Sequence, residues 1–339
     1  MSPVPNLVPN PDFAIAGAGI IGLTIALELH SRGARVCILD TAAALRGASS
    51  AAAGMLAAED PHNPPELREL SLFSLSLYDP FLARLSALSG LNIPYQTTTT
   101  LQYLDSGAVV ELPEKSVDPR QLGAAALEAV RRSSIPLLEN CERIEIREAP
   151  DSIVLQPLHG PAVTADQLIH ASGAWFEGSP PITPRKGQML RVRVPAKLNL
   201  NQVHRSSSIY VVPRTQGPQA GTALIGATEE DAGFDLQTHP ADLHQLRLRA
   251  SALLPELGDA IATPQVEAWA GLRPATADRL PLIGRMIGRL PHATRQWIAG
   301  GHYRNGILLT PATAVLLADL LENNAPPIDL QPFDPARSM

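Results

Sequence analysis

The stretch that decides the fold is Gly17-Ala18-Gly19-Ile20-Ile21-Gly22, set between a short apolar run, Phe13–Ala16, and a run of helix formers from Ile20 to His30. Gly17 permits a tight turn, Gly19 lets backbone approach a pyrophosphate, and Gly22 lets helix and strand pack closely. Ile20 and Ile21 open the helix, whose N-terminal N–H groups and partial positive charge suit a phosphate. Gly33 is a stop signal for that helix. Arg35–Leu39 reads as a second strand. Asp40 ends it, with Thr41 beside it, where a carboxylate accepts hydrogen bonds from a ribose diol. Strand, glycine turn, helix and strand in this order make a βαβ unit with a parallel sheet. The pattern specifies a dinucleotide without separating NAD from FAD.

The bulk numbers agree with a large folded body. The chain has 339 residues, 45% hydrophobic and 18% charged, enough for one large domain or two interleaved ones and against global disorder. A net charge of -6 argues against a nucleic-acid surface. Two cysteines, Cys37 and Cys141, give neither a disulfide framework nor a metal cluster, and no metal is expected. Phe13–Leu29 is apolar or small except at Thr24 and Glu28, and could pass for a signal peptide or membrane span. No Lys or Arg precedes it and three glycines interrupt it, so a buried strand, turn and helix fit better. The expectation is a cytoplasmic protein with no membrane contact, preceded by a proline-rich flexible tail, 1–11.

Farther on, the spacing of Leu67, Leu70, Phe73, Leu77 and Phe81 is helical but meets Pro80, which predicts two helices between Glu66 and Ser89. Thr97–Glu111 reads as extended chain. Asp118 and Pro119 are a cap and first residue for a helix to Arg131. Arg143–Arg147 and Ser152–Gln156 read as a hairpin, and Gln167–His170 as a strand ending before Gly173. Thr183–Val194, Ile209–Val212, Leu224–Gly226, Gln265–Gly271 and Trp297–Ala299 read as strands; Ala241–Leu254 and Ile307–Leu321 read as helices. The two kinds of segment alternate. The expected architecture is α/β, with two interleaved rather than sequential domains, one of them a Rossmann-type dinucleotide domain.

Three further motifs carry chemistry. In Ala48-Ser49-Ser50-Ala51-Ala52-Ala53-Gly54-Met55 the small residues let backbone lie against a flat ring or a phosphate, and the serines add donors. Gly300-Gly301-His302-Tyr303-Arg304-Asn305-Gly306-Ile307, with Leu308 after it, lies between a strand and the last helix. Its glycines leave room for a ring system, and the helix start would bring N–H groups to a flavin edge. A nicotinamide enzyme has no need of such a second cofactor contact. In Trp269-Ala270-Gly271-Leu272-Arg273-Pro274-Ala275-Thr276, Arg273 on a strand end suits a substrate carboxylate, because its planar fork matches two oxygens.

Together the motifs resemble the D-amino-acid-oxidase family of FAD enzymes, and within it the glycine oxidases of thiamine biosynthesis. The matching stretches are AGAGIIGL (16–23), ASSAAAGMLA (48–57), TPRKGQML (183–190), YVVPR (210–214), LIGATEEDAGFD (224–235), WAGLRPAT (269–276), LPLIG (280–284) and GHYRNGILLTPAT (301–313). The resemblance implies a two-domain α+β arrangement: a glutathione-reductase-type FAD domain from 12–90, 117–181 and 268–339 with a non-covalent flavin, interleaved with an antiparallel-sheet substrate domain from 91–116 and 182–267. Ala53, Gly54 and Met55 would touch the ring, Ala48 and Ser49 would lie nearer the phosphates, and Arg143 would lie on the adenine side. Arg273 would bind the substrate carboxylate, with Arg304 and Tyr210 in the same pocket. The implied reaction is oxidative deamination of glycine, sarcosine or D-alanine with dioxygen as acceptor. A thiazole synthase taking the imine and a homo-oligomeric assembly are the implied partners.

The chain departs from the family at three places. Asp40 stands where Glu is usual, Glu229 where some glycine oxidases have an apolar pocket residue, and the region between Tyr103 and Lys115 is short, as if a helical part were missing. Glu229 would either repel a substrate carboxylate or hold its ammonium. His302 adjoins the flavin motif, and a structural role weighs as much as a catalytic one. A related oxidase or dehydrogenase of sarcosine, a D-amino acid or an N-substituted glycine stays open on these residues, as does a flavin-binding protein with vestigial activity.

Overall fold

A computed structural model describes residues 10–258, 267–286 and 295–337. The first nine residues of the expected tail, and the start of the strand expected from Gln265, lie outside them. The opening stretch folds as a strand β1 (Phe13–Ala16), a helix α1 (Ile20–Ser31) and a strand β2 (Val36–Leu39). β1 pairs in parallel with β2 on one side and with Gln167–His170 on the other. The six-stranded sheet runs Leu282–Arg285, Gln296–Gly300, Gln167–His170, β1, β2, Leu137–Leu138. All its pairings are parallel except that of the edge strand Leu282–Arg285. Gly22 explains how α1 sits so close: a side chain there would collide with the Gly17 carbonyl.

The apolar run is thus the buried centre of this layer. Glu28, its one carboxylate, lies at the far end of α1, where it accepts from Arg32 (2.9 Å) and Arg84. Arg32 also reaches Asp319 at 2.7 Å. Burial would raise the Glu28 pKa, but the hydrogen bonds and charges of Arg84 and Arg32 outweigh it and hold the group below the usual carboxylate range.

A short helix α2 (Ala48–Ala51) leads to a helix α3 (Leu67–Ser89), which is continuous through Pro80 where two helices were expected. Its buried face, Leu67, Leu70, Tyr78, Leu82 and Leu85, outweighs the single ladder bond that proline removes. A helix α4 (Pro119–Arg132) starts as expected, with the Asp118 carboxylate accepting from the Arg120 N–H at 2.9 Å.

The second layer is a seven-stranded, mostly antiparallel sheet: Glu267–Ala275, Thr183–Arg193, Thr222–Gly226, Tyr210–Arg214, Val203–Arg205, Thr100–Tyr103, Val109–Leu112. A helix α5 (Pro240–Leu253) packs on it through Leu246 and Ala250. The short 103–115 region closes as a hairpin, Thr100–Tyr103 against Val109–Leu112, with no helix in it. A three-stranded sheet, in the order Val163–Ala165, Ile153–Pro157, Ile144–Glu148, contains the expected hairpin. Both cysteines are buried and unpaired, as their count implied. Among the described residues no helix is long and apolar enough to cross a membrane.

The last helix, α6 (Gly306–Leu321), contains Pro311, which cannot donate to the Ile307 carbonyl one turn back. The Tyr78 hydroxyl of α3 donates to that carbonyl instead, and the Ser74 hydroxyl donates to the Leu308 carbonyl at 2.6 Å. These contacts fix the start of α6. Tyr78→Phe leaves a buried carbonyl unpaired and should lower stability by about 1–3 kcal/mol, read as a fall in the denaturant midpoint at unchanged slope.

Candidate functional site

The C-terminal ends of β1 and β2 open into a cavity of about 1510 Å³ that continues beneath the seven-stranded sheet. The carboxyl ends of parallel strands are where an open α/β sheet binds its ligand. The volume exceeds the roughly 300–1,000 Å³ of a pocket for a drug-sized ligand, and so has room for a dinucleotide with a substrate beside it.

At the nucleotide end the lining includes Gly17, Gly19, Ile20, Ile21, Asp40, Thr41, Ala48, Ser49, Arg143 and Gly173. Asp40 accepts from the Ala18 N–H at 2.6 Å and the Ala42 N–H at 2.8 Å, which ties the end of β2 to the glycine turn. Burial pushes its carboxyl above the usual range. The Ser49 hydroxyl accepts from the Ile20 N–H at 3.0 Å and so sits at the start of α1. Gly22 faces β1 rather than the cavity, which is the packing role its motif position requires.

In the middle lie Ala53, Gly54 and Met55. Their backbone is held from both sides: the Val117 N–H donates to the Gly54 carbonyl at 2.9 Å, and the buried Arg214 guanidinium donates to the Ala53 carbonyl at 2.8 Å. Arg214 ends the quoted YVVPR stretch, yet its sequence signal pointed only to Tyr210. Opposite, His302, Tyr303, Arg304, Gly306 and Ile307 line the cavity at the start of α6. The Asn305 side chain does not cap that helix. Asn305 turns away and donates to Asn63 Oδ1 at 2.9 Å, and Leu308 is in the apolar core. Two helix starts, a carboxylate at the end of β2 and a flat middle of small residues fit the pyrophosphate, ribose and ring of FAD. Neither cysteine lines the cavity.

The far end of the cavity is built by the pairing of Thr183–Arg193 with Glu267–Ala275. Arg273 lies across Gly187, where any side chain would collide with its guanidinium, and donates to the Lys186 carbonyl at 3.2 Å. Tyr210 is beside it. Burial raises the Tyr210 pKa, and the charges of Arg273 and Arg304 only partly oppose this. The phenol therefore stays protonated as a donor.

Ion pairing sorts the guanidiniums here. Arg205 Nη1 is 2.9 Å from Glu114 Oε2, Arg304 Nη2 is 3.3 Å from Asp60 Oδ2, and Arg279 Nη2 is 3.8 Å from Glu229 Oε1. Among the described residues, no carboxylate is within ion-pair distance of Arg273, although the charge of Glu229 is near enough to interact with it. Glu229 is half exposed at the mouth. Burial would raise its pKa, but Tyr303 and the three cations Arg273, Arg279 and Arg304 hold it low, so it is ionised. The loop that carries Glu229 is pinned from behind by Lys186, which is fully buried against Asp235 and lies 3.6 Å from Glu230. Asp60, Glu114, Arg205, Lys186 and Gly187 carried no separate reading in the sequence. Asp60 follows the Ala-rich motif closely, and Lys186 and Gly187 sit within TPRKGQML, but what they touch comes from distant segments.

His302 is buried, with Nε2 3.0 Å from Thr313 Oγ1. Burial lowers its pKa to about 4.

The comparisons with known proteins agree with this geometry. The profile of the family described as FAD dependent oxidoreductase (DAO) matches residues 12–112 and 104–320. A glycine oxidase of Geobacillus kaustophilus is 31% identical over 96% of this chain and 97% of its own. The bifunctional protein ThiO/ThiG of Nostoc sp. is 34% identical over 96% of this chain, which spans 55% of that protein, about half its length. The crystal structure of the Geobacillus kaustophilus glycine oxidase superposes with a TM-score of 0.87 at 28% identity, covering 98% of this chain and 100% of that one.

A neutral His302 predicts acid sensitivity. The unfolded chain protonates this residue near 6.5 and the native protein only near 4, so stability is complete above pH 6.5 and is lost as pH falls toward 4, by up to about 3 kcal/mol. Replacing His302 by Gln, which keeps a partner for Thr313, should flatten the thermal midpoint between pH 6.5 and 4 relative to the parent.

Proposed function

The chain belongs to the FAD-dependent oxidoreductase family, and from that premise we propose that it oxidises the C–N bond of glycine, or of a small relative such as sarcosine or D-alanine. The net reaction takes glycine, dioxygen and water to glyoxylate, ammonia and hydrogen peroxide. The observation that carries the reading is Arg273: a fixed guanidinium with no carboxylate partner among the described residues, next to a protonated tyrosine in the wall of a dinucleotide-sized cavity.

Arg273 binds the substrate carboxylate through its planar fork. The Tyr210 hydroxyl donates to the same group. Together they orient Cα toward the middle of the cavity, where Ala53, Gly54 and Met55 face the start of α6. FAD held there would supply the two-electron acceptor for the hydride that leaves Cα, with dioxygen as the terminal acceptor. The uncapped N-terminus of α6 favours negative charge at its edge of the cavity. His302 is neutral and engaged with Thr313, so it is no general base. The amine loses its proton to solvent on entry, and its lone pair then assists departure of the hydride. Positioning and electrostatics supply the rate.

In this reading residues 12–90, 117–181 and 268–339 bind the cofactor, and 91–116 and 182–267 form the substrate domain. Relatives named ThiO/ThiG support a link to a thiazole synthase that takes the imine product. A cytoplasmic homo-oligomer completes the reading; two free buried cysteines suit a reducing compartment.

The test is peroxide release with glycine by the parent and by Arg273→Ala. The variant should keep its flavin and raise the KM for glycine by about tenfold or more, the loss expected of a charged hydrogen-bonded contact. An unchanged KM removes Arg273 from the carboxylate site.

A further inference from the structure

Three guanidiniums, Arg273, Arg304 and Arg214, oppose the rise in the Tyr210 pKa; Arg214 is bonded to the Ala53 carbonyl and lies 3.9 Å from Asp118, so an incoming carboxylate meets Arg273 and Arg304, with the ionised Glu229 near both. They are not equivalent. Arg304 is 3.3 Å from Asp60 Oδ2, while Arg273 donates to a backbone carbonyl. Asp60 is itself fixed: it is 7% exposed, its Oδ1 accepts from the His62 N–H at 3.0 Å, and its Oδ2 lies 4.0 Å from the buried Arg205. A carboxylate locked in a dry wall neutralises its neighbour far more effectively than one in water.

We infer that Asp60 is a positioning residue that sets substrate orientation: by neutralising Arg304 it leaves Arg273, which has no carboxylate within ion-pair distance among the described residues, as the stronger of the two cations beside Tyr210, so the substrate carboxylate docks there and Cα faces the reacting position. The inference rests on the assignment of Arg273 under the proposed function. Without the Asp60 charge, Arg304 becomes a second carboxylate clamp. Substrate then partitions between a productive and a non-productive pose. Both poses draw on the same free enzyme, so kcat and KM fall together while kcat/KM holds.

The variant is Asp60→Asn, which keeps shape and removes charge; Asp60→Ser removes the same charge with a smaller group should the Asn variant fail to fold. The first readout is the affinity of the flavin-loaded protein for acetate, a carboxylate without an amine, followed through the absorbance of the bound flavin. Acetate should bind about tenfold more tightly to the variant. With glycine, kcat and KM should each fall about tenfold and kcat/KM stay within about twofold. In an Arg304→Met background the same change at Asp60 should tighten acetate by no more than about twofold. Weaker acetate binding, a raised KM with reduced kcat/KM, or an undiminished effect without Arg304 would overturn the inference and leave Asp60 as a brace of the fold. Since acetate binding needs no turnover, a parent that oxidises no amine while acetate tightens in Asp60→Asn would retain the Asp60 inference and discard the substrate assignment.

Discussion

Arg273 lies flat across the backbone of Gly187, and a cation in that place constrains most of what surrounds it. The contact exists because Thr183–Arg193 and Glu267–Ala275 pair in register over nine residues, with Arg273 opposite Arg185 and Leu272 opposite Lys186. A slip of one residue would turn Arg273 to the other face of the sheet. Behind the strand, Lys186 buries its ammonium against Asp235 and Glu230, and Gln188 donates to Glu230 at 2.9 Å and Asp242 at 2.8 Å. Those bonds hold the loop that ends the strand Thr222–Gly226, and with it Glu229 at the pocket mouth.

The second constraint is that this sheet must stand at a set distance from the dinucleotide layer. Trp269, on the same strand as Arg273, donates to the Ala51 carbonyl at 3.2 Å, and Arg120 and Arg191 lie over its ring at 4.9 and 5.5 Å. Arg214 reaches from the seven-stranded sheet to the Ala53 carbonyl. On the opposite side, Tyr78 and Ser74 fix the start of α6 by taking up carbonyls at and beside the one that Pro311 leaves free. The flat middle of the cavity is therefore bounded by backbone held on both faces by side chains from elsewhere in the chain.

Much of this was legible in the sequence because it is local. The glycine turn, α1, β2, the capped start of α4, the hairpin from Ile144 to Pro157 and the last helix all follow from residues adjacent in the chain. Pro80 misled for the same reason: its cost is local, whereas the burial of Leu70, Tyr78 and Leu82 that overrides it depends on α6, more than two hundred positions away. The resemblance pointed to Arg273, Tyr210 and Arg304, and all three line one cavity. What the sequence did not disclose is the pairing among charges. Asp60 with Arg304, Glu114 with Arg205 and Glu229 with Arg279 join residues that no spacing rule connects. How the pocket arginines divide between carboxylates and backbone carbonyls becomes visible only in the fold.

The central claim is that this cavity holds FAD and presents a small amino acid to it through Arg273. The most direct test is anaerobic mixing of the purified flavoprotein with glycine, sarcosine and D-alanine in turn, following the visible absorption band of the flavin. The account predicts that one of these amines, glycine foremost, bleaches the band, and that admitting air restores it with release of hydrogen peroxide. A yellow protein that none of the three bleaches would contradict the substrate assignment, and a protein that carries no flavin would contradict the reading of the cavity itself.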